Sequence, residues 1–176
     1  MLMTKKQTIL CIVGASGSGK TMASLYLRDK LGVDVIVSYT TRPMRSFETN
    51  GVEHWFVSDE DMPPFDDMIA YTYFGGYHYW ASISQVVGDL TVYVIDEKGV
   101  EFLKERFSDK YNIISIFVEK QFENDIVDDE RKRRDDERVI DKSSYDHVVV
   151  NKDKELFLEE MTKTTECILK EYCSVK

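Results

Sequence analysis

The sequence predicts an α/β domain in which a five-stranded parallel sheet lies between two layers of helices, a three-layer αβα arrangement. Five short apolar segments support this prediction, because they lack the polar alternation of a half-exposed strand and are typical of strands buried on both faces. They comprise residues 8–13, 33–37, 90–95, 113–118 and 148–150. Helical stretches separate most of them, and strands that alternate with helices pair in parallel.

Four segments have the spacing or the composition of helices. The first follows Gly19, and the others cover residues 99–107, a charged stretch at 119–142, and residues 154–172. Apolar residues of the last segment recur on one helical face, which is the pattern of ordinary core packing.

Residues 38–81 interrupt this alternation. Residues 53–57 and 68–74 have β-favouring composition, and a Gly-Gly turn signal separates the second segment from a further extended stretch. We therefore expect a small, mainly antiparallel insertion at residues 38–81.

Composition and charge limit the classes of function. The chain of 176 residues suits a single domain, residues 1–176, with a core made of residues 1–37 and 82–176. A net charge of −9 argues against a nucleic-acid partner, and no apolar run approaches the length of about 18 residues that spans a membrane. The three cysteines form no C-x-x-C pair, which favours reduced thiols and a cytoplasmic location. Either a monomer or a homodimer fits these observations.

A phosphate-binding motif follows the first predicted strand. The pattern G-x-x-x-x-G-K-S/T is matched by Gly14, Ala15, Ser16, Gly17, Ser18, Gly19, Lys20 and Thr21, between a strand and a helix. Glycines let backbone N–H groups surround a β-phosphate, Lys20 reaches the β- and γ-phosphate oxygens, and the Thr21 hydroxyl can ligate Mg²⁺. The motif predicts a nucleoside triphosphate such as ATP, with Mg²⁺ as the cofactor.

A second motif lies in the insertion. The letters S-Y-T-T-R-P-M-R begin at Ser38, and E-T-N-G-V-E-H-W-F-V begins at Glu48. With the phosphate-binding motif and the final apolar strand, they resemble the signature of the guanylate kinase family, S-x-T-T-R-x-x-R followed by E-x-N-G-x-x-Y-x-F-V. The resemblance extends from about residue 9 to residue 172.

This resemblance implies a P-loop NTPase fold with a nucleoside-monophosphate-binding insertion at residues 38–81 and a short lid at about residues 122–142. It also implies transfer of the γ-phosphoryl group of ATP to GMP or dGMP, giving GDP or dGDP and ADP. Two alternatives stay open: a kinase of the same fold with a modified nucleotide or a sugar phosphate as acceptor, and a non-catalytic, peptide-binding module of this family.

Arg42 and Arg45 are the predicted ligands of the acceptor phosphate, because guanidinium groups bind such a dianion bidentately and with fixed geometry. In the guanylate kinase family, which these motifs resemble, two tyrosines also hold this phosphate. Tyr79 occupies the later position, whereas His54 occupies the earlier one. An imidazole can substitute as a donor and make binding sensitive to pH near 6.5, or His54 can simply fill space on a strand.

Recognition of the acceptor base departs from the family pattern. Ser38 and Asp96 correspond to residues that contact the guanine carbonyl and the base or ribose edge. The glutamate that accepts from guanine N–H groups is replaced by Ala70, which has no acceptor. The specificity for guanine is therefore weakened.

The resemblance places arginines of a lid near the transferred phosphoryl group, and Arg134 and Arg138 are the candidates. Acidic residues flank them, so a solvated helix of mixed charge is the competing interpretation. Asn151, after the final strand, corresponds to a family position near the adenine of ATP.

Overall fold

A computed structural model describes residues 5–122 and 140–173 of the chain. In order, its main elements are β1 (Gln7–Gly14), α1 (Lys20–Leu31), β2 (Asp34–Ile36), β3 (Tyr39–Thr40), β4 (Trp55–Phe56), β5 (Met68–Phe74), β6 (Tyr77–Ser82), β7 (Leu90–Val94), α2 (Glu97–Phe107), β8 (Tyr111–Lys120), β9 (His147–Asn151) and α3 (Lys154–Ile168). Short 3₁₀ turns occupy Asp59–Asp61, Phe65–Asp67, Ile83–Gln85 and Lys142–Ser144, and a π-helical turn, Leu169–Cys173, continues α3.

The main sheet has the strand order β2-β7-β1-β8-β9, and every neighbouring pair is parallel. Strand β1 is central, and all of its residues from Thr8 to Gly14 are buried. Burial on both faces explains why its sequence is apolar without alternation. The predicted five-stranded parallel sheet is confirmed.

Alternate residues of β1 enter two separate apolar clusters. Leu10 and Ile12 pack with residues of α1 and α3, whereas Ile9, Cys11 and Val13 pack with residues of α2. Helices therefore cover both faces of the sheet, which confirms the three-layer prediction.

A second sheet has the order β4-β3-β6-β5. Strand β6 pairs antiparallel with both β3 and β5, and β3 pairs parallel with β4. The predicted strand at residues 68–74 is confirmed as β5. The strand predicted at 53–57 is reduced to β4, and the sequence analysis missed β3, because each of these two strands has only two residues.

The prediction of a helix at residues 119–142 is wrong at both ends of that range, where the structure describes residues 119–122 and 140–142. Strand β8 extends through Lys120, because its pairing with β9 continues to Asn151. Lys142 lies in a 3₁₀ turn that begins after Asp141, whose carboxylate accepts from the Ser143 N–H. Residues 123–139 lie outside the described part of the chain.

In the described part of the chain, none of the helices is both long enough and apolar enough to cross a lipid bilayer.

Phe157 in α3 is completely buried, and a Cβ placed on Gly19 would lie 3.2 Å from its ring. We predict that Phe157→Ala lowers the free energy of unfolding by about 3–5 kcal/mol, because it leaves a cavity under the phosphate-binding loop. Chemical denaturation measures the change. The adjacent Leu156 is 58% exposed, so Leu156→Ala is the matched control, and equal losses in the two variants would contradict the assignment.

Candidate active site

The loop between β1 and α1 is shaped by close backbone contacts. Gly14 and Gly19 have φ angles of 155° and 96°. A Cβ at Gly14 would lie 2.6 Å from the Val118 carbonyl oxygen, and one at Gly19 would lie 2.7 Å from Nδ2 of Asn151. Neither position has room for a side chain, so the glycines of the motif are required by the fold as well as by a ligand.

Lys20, the first residue of α1, lies over the start of this loop. Its Nζ donates to the carbonyl oxygens of Gly14 at 2.9 Å and Ala15 at 2.7 Å. Thr21 follows in the first helical turn and is half-buried. The ammonium group and the helix N-terminus both favour an anion at this point.

Ser18 carries the one buried side-chain oxygen without a hydrogen-bond partner in the described residues. A buried hydroxyl without a partner is costly, and in native structures it often marks a bound group. A phosphate oxygen is a suitable partner, so the loop's geometry fits a polyphosphate.

Asn151 supports the loop from β9. Its side chain is buried, and Nδ2 donates to the Ser18 carbonyl oxygen at 2.8 Å. It also lines a cavity of about 370 Å³ beside the loop, together with Met22, Phe122 and Lys154. The family resemblance associated Asn151 with adenine, and this positioning contact was not predicted from the sequence.

Arg42 and Arg45 lie together after β3 because Glu48 contacts both. The Glu48 carboxylate forms a bidentate pair with Arg42 at 2.8 and 2.9 Å and accepts from the Arg45 backbone N–H at 2.8 Å. Its side chain is 4% exposed. Burial alone raises the pKa of Glu48, but the hydrogen bonds from Arg42 and Arg45 outweigh it and hold the pKa below its usual range.

No role was predicted for Glu48 from the sequence. The available signal was the position of this glutamate inside the motif that resembles the family, close in sequence to two arginines. A buried carboxylate is almost always paired with a cation, so burial of Glu48 indicates such a pair.

His54 lies beside this arginine pair. Its Nδ1 is 3.0 Å from Ser38 Oγ, and its ring makes edge contacts with Phe56 and Tyr79 at centroid distances of 5.9 and 5.8 Å. Burial, and then the charge of Arg42, lower the pKa of His54 to about 4. The ring is therefore neutral near pH 6.5 in the free protein.

Ser38 also connects the insertion to the main sheet. It lies near the phenol of Tyr93, a buried residue of β7 that was not predicted from the sequence. Burial, followed by the nearby charge of Asp96, raises the pKa of Tyr93. Asp96 itself caps α2 by accepting from the Gly99 N–H at 2.7 Å. Ser38 and Asp96 therefore both lie near Tyr93.

A family model described as guanylate kinase matches residues 6–168 of the chain. The chain belongs to the guanylate kinase family.

Curated members of the guanylate kinase family have moderate similarity to the chain. The guanylate kinase of Mesoplasma florum is 29% identical over 98% of this chain, and the chain spans 64% of that protein's length. The guanylate kinase of Rhodopseudomonas palustris is 28% identical over 77% of the chain and 71% of its own length.

A crystal structure of guanylate kinase from Anaplasma phagocytophilum superposes with a TM-score of 0.66. The two sequences are 22% identical, and the match covers 98% of this chain and 89% of that one. This likeness establishes the shared fold.

Ala70, which the sequence resemblance assigns to the position of a family glutamate, is 4% exposed. It pairs across the sheet with Ala81, which is fully buried, and both belong to the apolar cluster that contains α2. Neither of these two alanine side chains offers a hydrogen-bond acceptor.

The two predicted lid arginines of this guanylate kinase family member, Arg134 and Arg138, lie outside the described residues.

His54→Gln tests the lowered pKa of the His54 imidazole. The unfolded chain takes up a proton at the ordinary pKa of 6.5, whereas the folded ring stays neutral until about pH 4. Wild-type stability should therefore fall relative to the variant as the pH decreases from about 6.5, by about 2.5 kcal/mol at pH 4.5. Urea denaturation across this range measures the difference. A difference that does not vary with pH would contradict the shifted pKa.

Proposed function

We propose that this chain transfers the γ-phosphoryl group of ATP to GMP or dGMP. The observation that carries the proposal is the combination of a phosphate-binding loop, with Lys20 at its helix end, and a prearranged arginine pair in the insertion. The loop suits the phosphates of ATP, and the arginine pair suits the phosphate of the acceptor nucleotide. Membership of the guanylate kinase family supports the direction of transfer.

The donor nucleotide would lie along the loop formed by Gly14, Ala15, Ser16, Gly17, Ser18 and Gly19. Backbone N–H groups would contact its β-phosphate, and Lys20 would leave the Gly14 and Ala15 carbonyls for the β- and γ-phosphate oxygens. The cavity beside Asn151 and Met22 would accept the nucleoside.

Magnesium is proposed as the cofactor, with the Thr21 hydroxyl as its protein ligand. The described residues contain no group of three or more His, Cys, Asp or Glu side chains suited to a metal. Mg²⁺ keeps several waters and commonly binds through substrate phosphates with one or two protein ligands, which fits such a site. The ion would neutralise charge on the β- and γ-phosphates.

The acceptor phosphate is assigned to Arg42, Arg45, His54 and Tyr79, and the acceptor nucleoside to Ser38 and Asp96. Arg134 and Arg138 remain proposed catalytic contacts of the transferred group. The three free cysteines agree with a cytoplasmic location, and the oligomeric state stays a prediction of monomer or homodimer.

Lys20→Ala should lower kcat by about 10²–10³ or more, since its charge acts on the transferring phosphoryl group. A coupled assay of ADP release with ATP, Mg²⁺ and GMP measures this effect. Lys30 lies in the same helix and is exposed, so Lys30→Ala is the matched control. Near-normal turnover by a folded Lys20→Ala protein would refute the assigned role.

A shifted acceptor is the second candidate function, and Ala70 is the observation that favours it. A hydrogen bond to a charged carboxylate contributes about 1.5–3 kcal/mol, so its absence removes roughly a 10- to 150-fold advantage for guanine. A purine or sugar phosphate without the guanine 2-amino group would lose nothing at this position. The peptide-binding alternative is disfavoured because Lys20, Thr21, Arg42 and Arg45 are all retained.

Ala70→Glu tests the base contact by restoring a carboxylate. We expect the ratio of kcat/KM for GMP to that for IMP, which lacks the 2-amino group, to be near unity in the wild type and to rise about 10- to 150-fold in the variant. Ala70→Gln provides an uncharged control of similar size. A strong wild-type preference for GMP over IMP would show that another group recognises guanine.

A further inference from the structure

An aromatic side chain beside the phosphate-binding loop has no part in the proposed transfer so far. Phe122 follows the end of β8, and 38% of its surface is exposed. It lines the cavity of about 370 Å³ that also contacts Gly17 and Gly19 of the loop. The cavity therefore extends from the phosphate-binding loop to this ring.

The position of Phe122 is set by strands β8 and β9. The Gln121 N–H donates to the Asn151 carbonyl oxygen at 2.9 Å, which continues the contact between the two strands past the end of β8. Lys120 Nζ lies 5.2 Å from the centroid of the Phe122 ring, a distance at which a cation is attracted to an aromatic ring. The ring is thus held at the carboxyl edge of the main sheet, where the phosphate-binding loop also lies.

The other side chains that line this cavity offer little for the edge of a nucleobase. Lys152 and Lys154 are exposed, and an ammonium group can donate a hydrogen bond but cannot accept one. Asn151 is only 4% exposed, and its side-chain amide already supports the loop. Phe122 and Met22 provide apolar surface. Apolar walls with a few polar groups are typical of sites for small organic molecules, and here they suit the face of a planar base.

We infer that Phe122 is the stacking platform for the base of the donor nucleotide. Stacking on an aromatic side chain requires only a π-face, which every nucleobase has. This inference rests on the proposed function, since it concerns the donor in the same transfer. It assigns the main contact of the donor base to a residue that was not predicted from the sequence, in place of Asn151, which the family resemblance implied.

Calorimetry with ADP and with base-free pyrophosphate, each titrated with Mg²⁺ into the full chain, separates the base contact from the phosphate contacts. Loss of one base–aromatic stack predicts that Phe122→Ala weakens ADP binding about 5- to 150-fold. Its affinity for pyrophosphate should equal that of the wild type, and Phe122→Tyr should retain the affinity for ADP. Phe74, an exposed ring at the end of β5, provides the matched control, since Phe74→Ala should bind both ligands as the wild type does.

IDP tests whether the face or the edge of the base is contacted. It carries an oxygen where ADP carries its exocyclic amino group, and both bases present the same kind of face. Stacking therefore predicts the same fold-loss for ADP and IDP in Phe122→Ala. A loss confined to ADP would overturn the stacking assignment.

Phe122→Trp provides a direct spectroscopic readout. The two tryptophans of the chain, Trp55 and Trp80, lie in β4 and β6 of the insertion. A change of emission that ADP causes in the variant and not in the wild type therefore reports on the new ring. We expect this change with ADP and none with pyrophosphate, and an unchanged emission with bound ADP would contradict the contact.

The outcomes distinguish the inference from the proposed function. Equal losses of ADP and pyrophosphate affinity in Phe122→Ala would show that the ring supports the loop, which overturns the inference. Full ADP affinity in Phe122→Ala would also overturn it and would leave phosphoryl transfer intact. A wild type that binds neither ligand would overturn both, whereas the expected losses without any transfer to GMP would refute the acceptor alone.

Discussion

The close approach of the end of β1 to its neighbours is the constraint on which the site depends. Gly14 meets the Val118 carbonyl of β8, and Gly19 meets the side-chain amide of Asn151 at the end of β9. Because β1 is central and buried on both faces, the loop after it cannot move away from these neighbours without breaking the sheet. The loop is therefore prearranged by the core, and a ligand need not supply the free energy to order it.

The proposed acceptor site is held together by ion pairs and not by close packing. A single buried carboxylate, Glu48, holds both arginines and lies in a segment with little regular structure. Removing one partner of a buried pair leaves an uncompensated charge, so these three residues behave as a unit. The same carboxylate partly neutralises the two guanidinium groups.

The insertion is joined to the core by apolar and aromatic contacts. Ile69, Ala70 and Ala81 share a cluster with α2, and the Arg106 guanidinium group lies 4.6 Å from the centroid of the Phe65 ring. Ser38, at the start of the insertion, lies near Tyr93 of the main sheet. These contacts hold the arginine segment and the phosphate-binding loop within one structure, although the two lie in different sheets.

The sequence by itself determined the five buried strands and the position of the loop between β1 and α1, since periodicity and motif spacing are local properties of the chain. It did not determine the two-residue strands β3 and β4, the extension of β8 to Lys120, or the roles of Glu48, Tyr93 and the amide of Asn151. Only the tertiary structure decided these, because each depends on a partner distant in the chain or on burial. The charge state of His54 belongs to the same group: its ordinary pKa predicts a titration near 6.5, and burial beside Arg42 moves it to about 4.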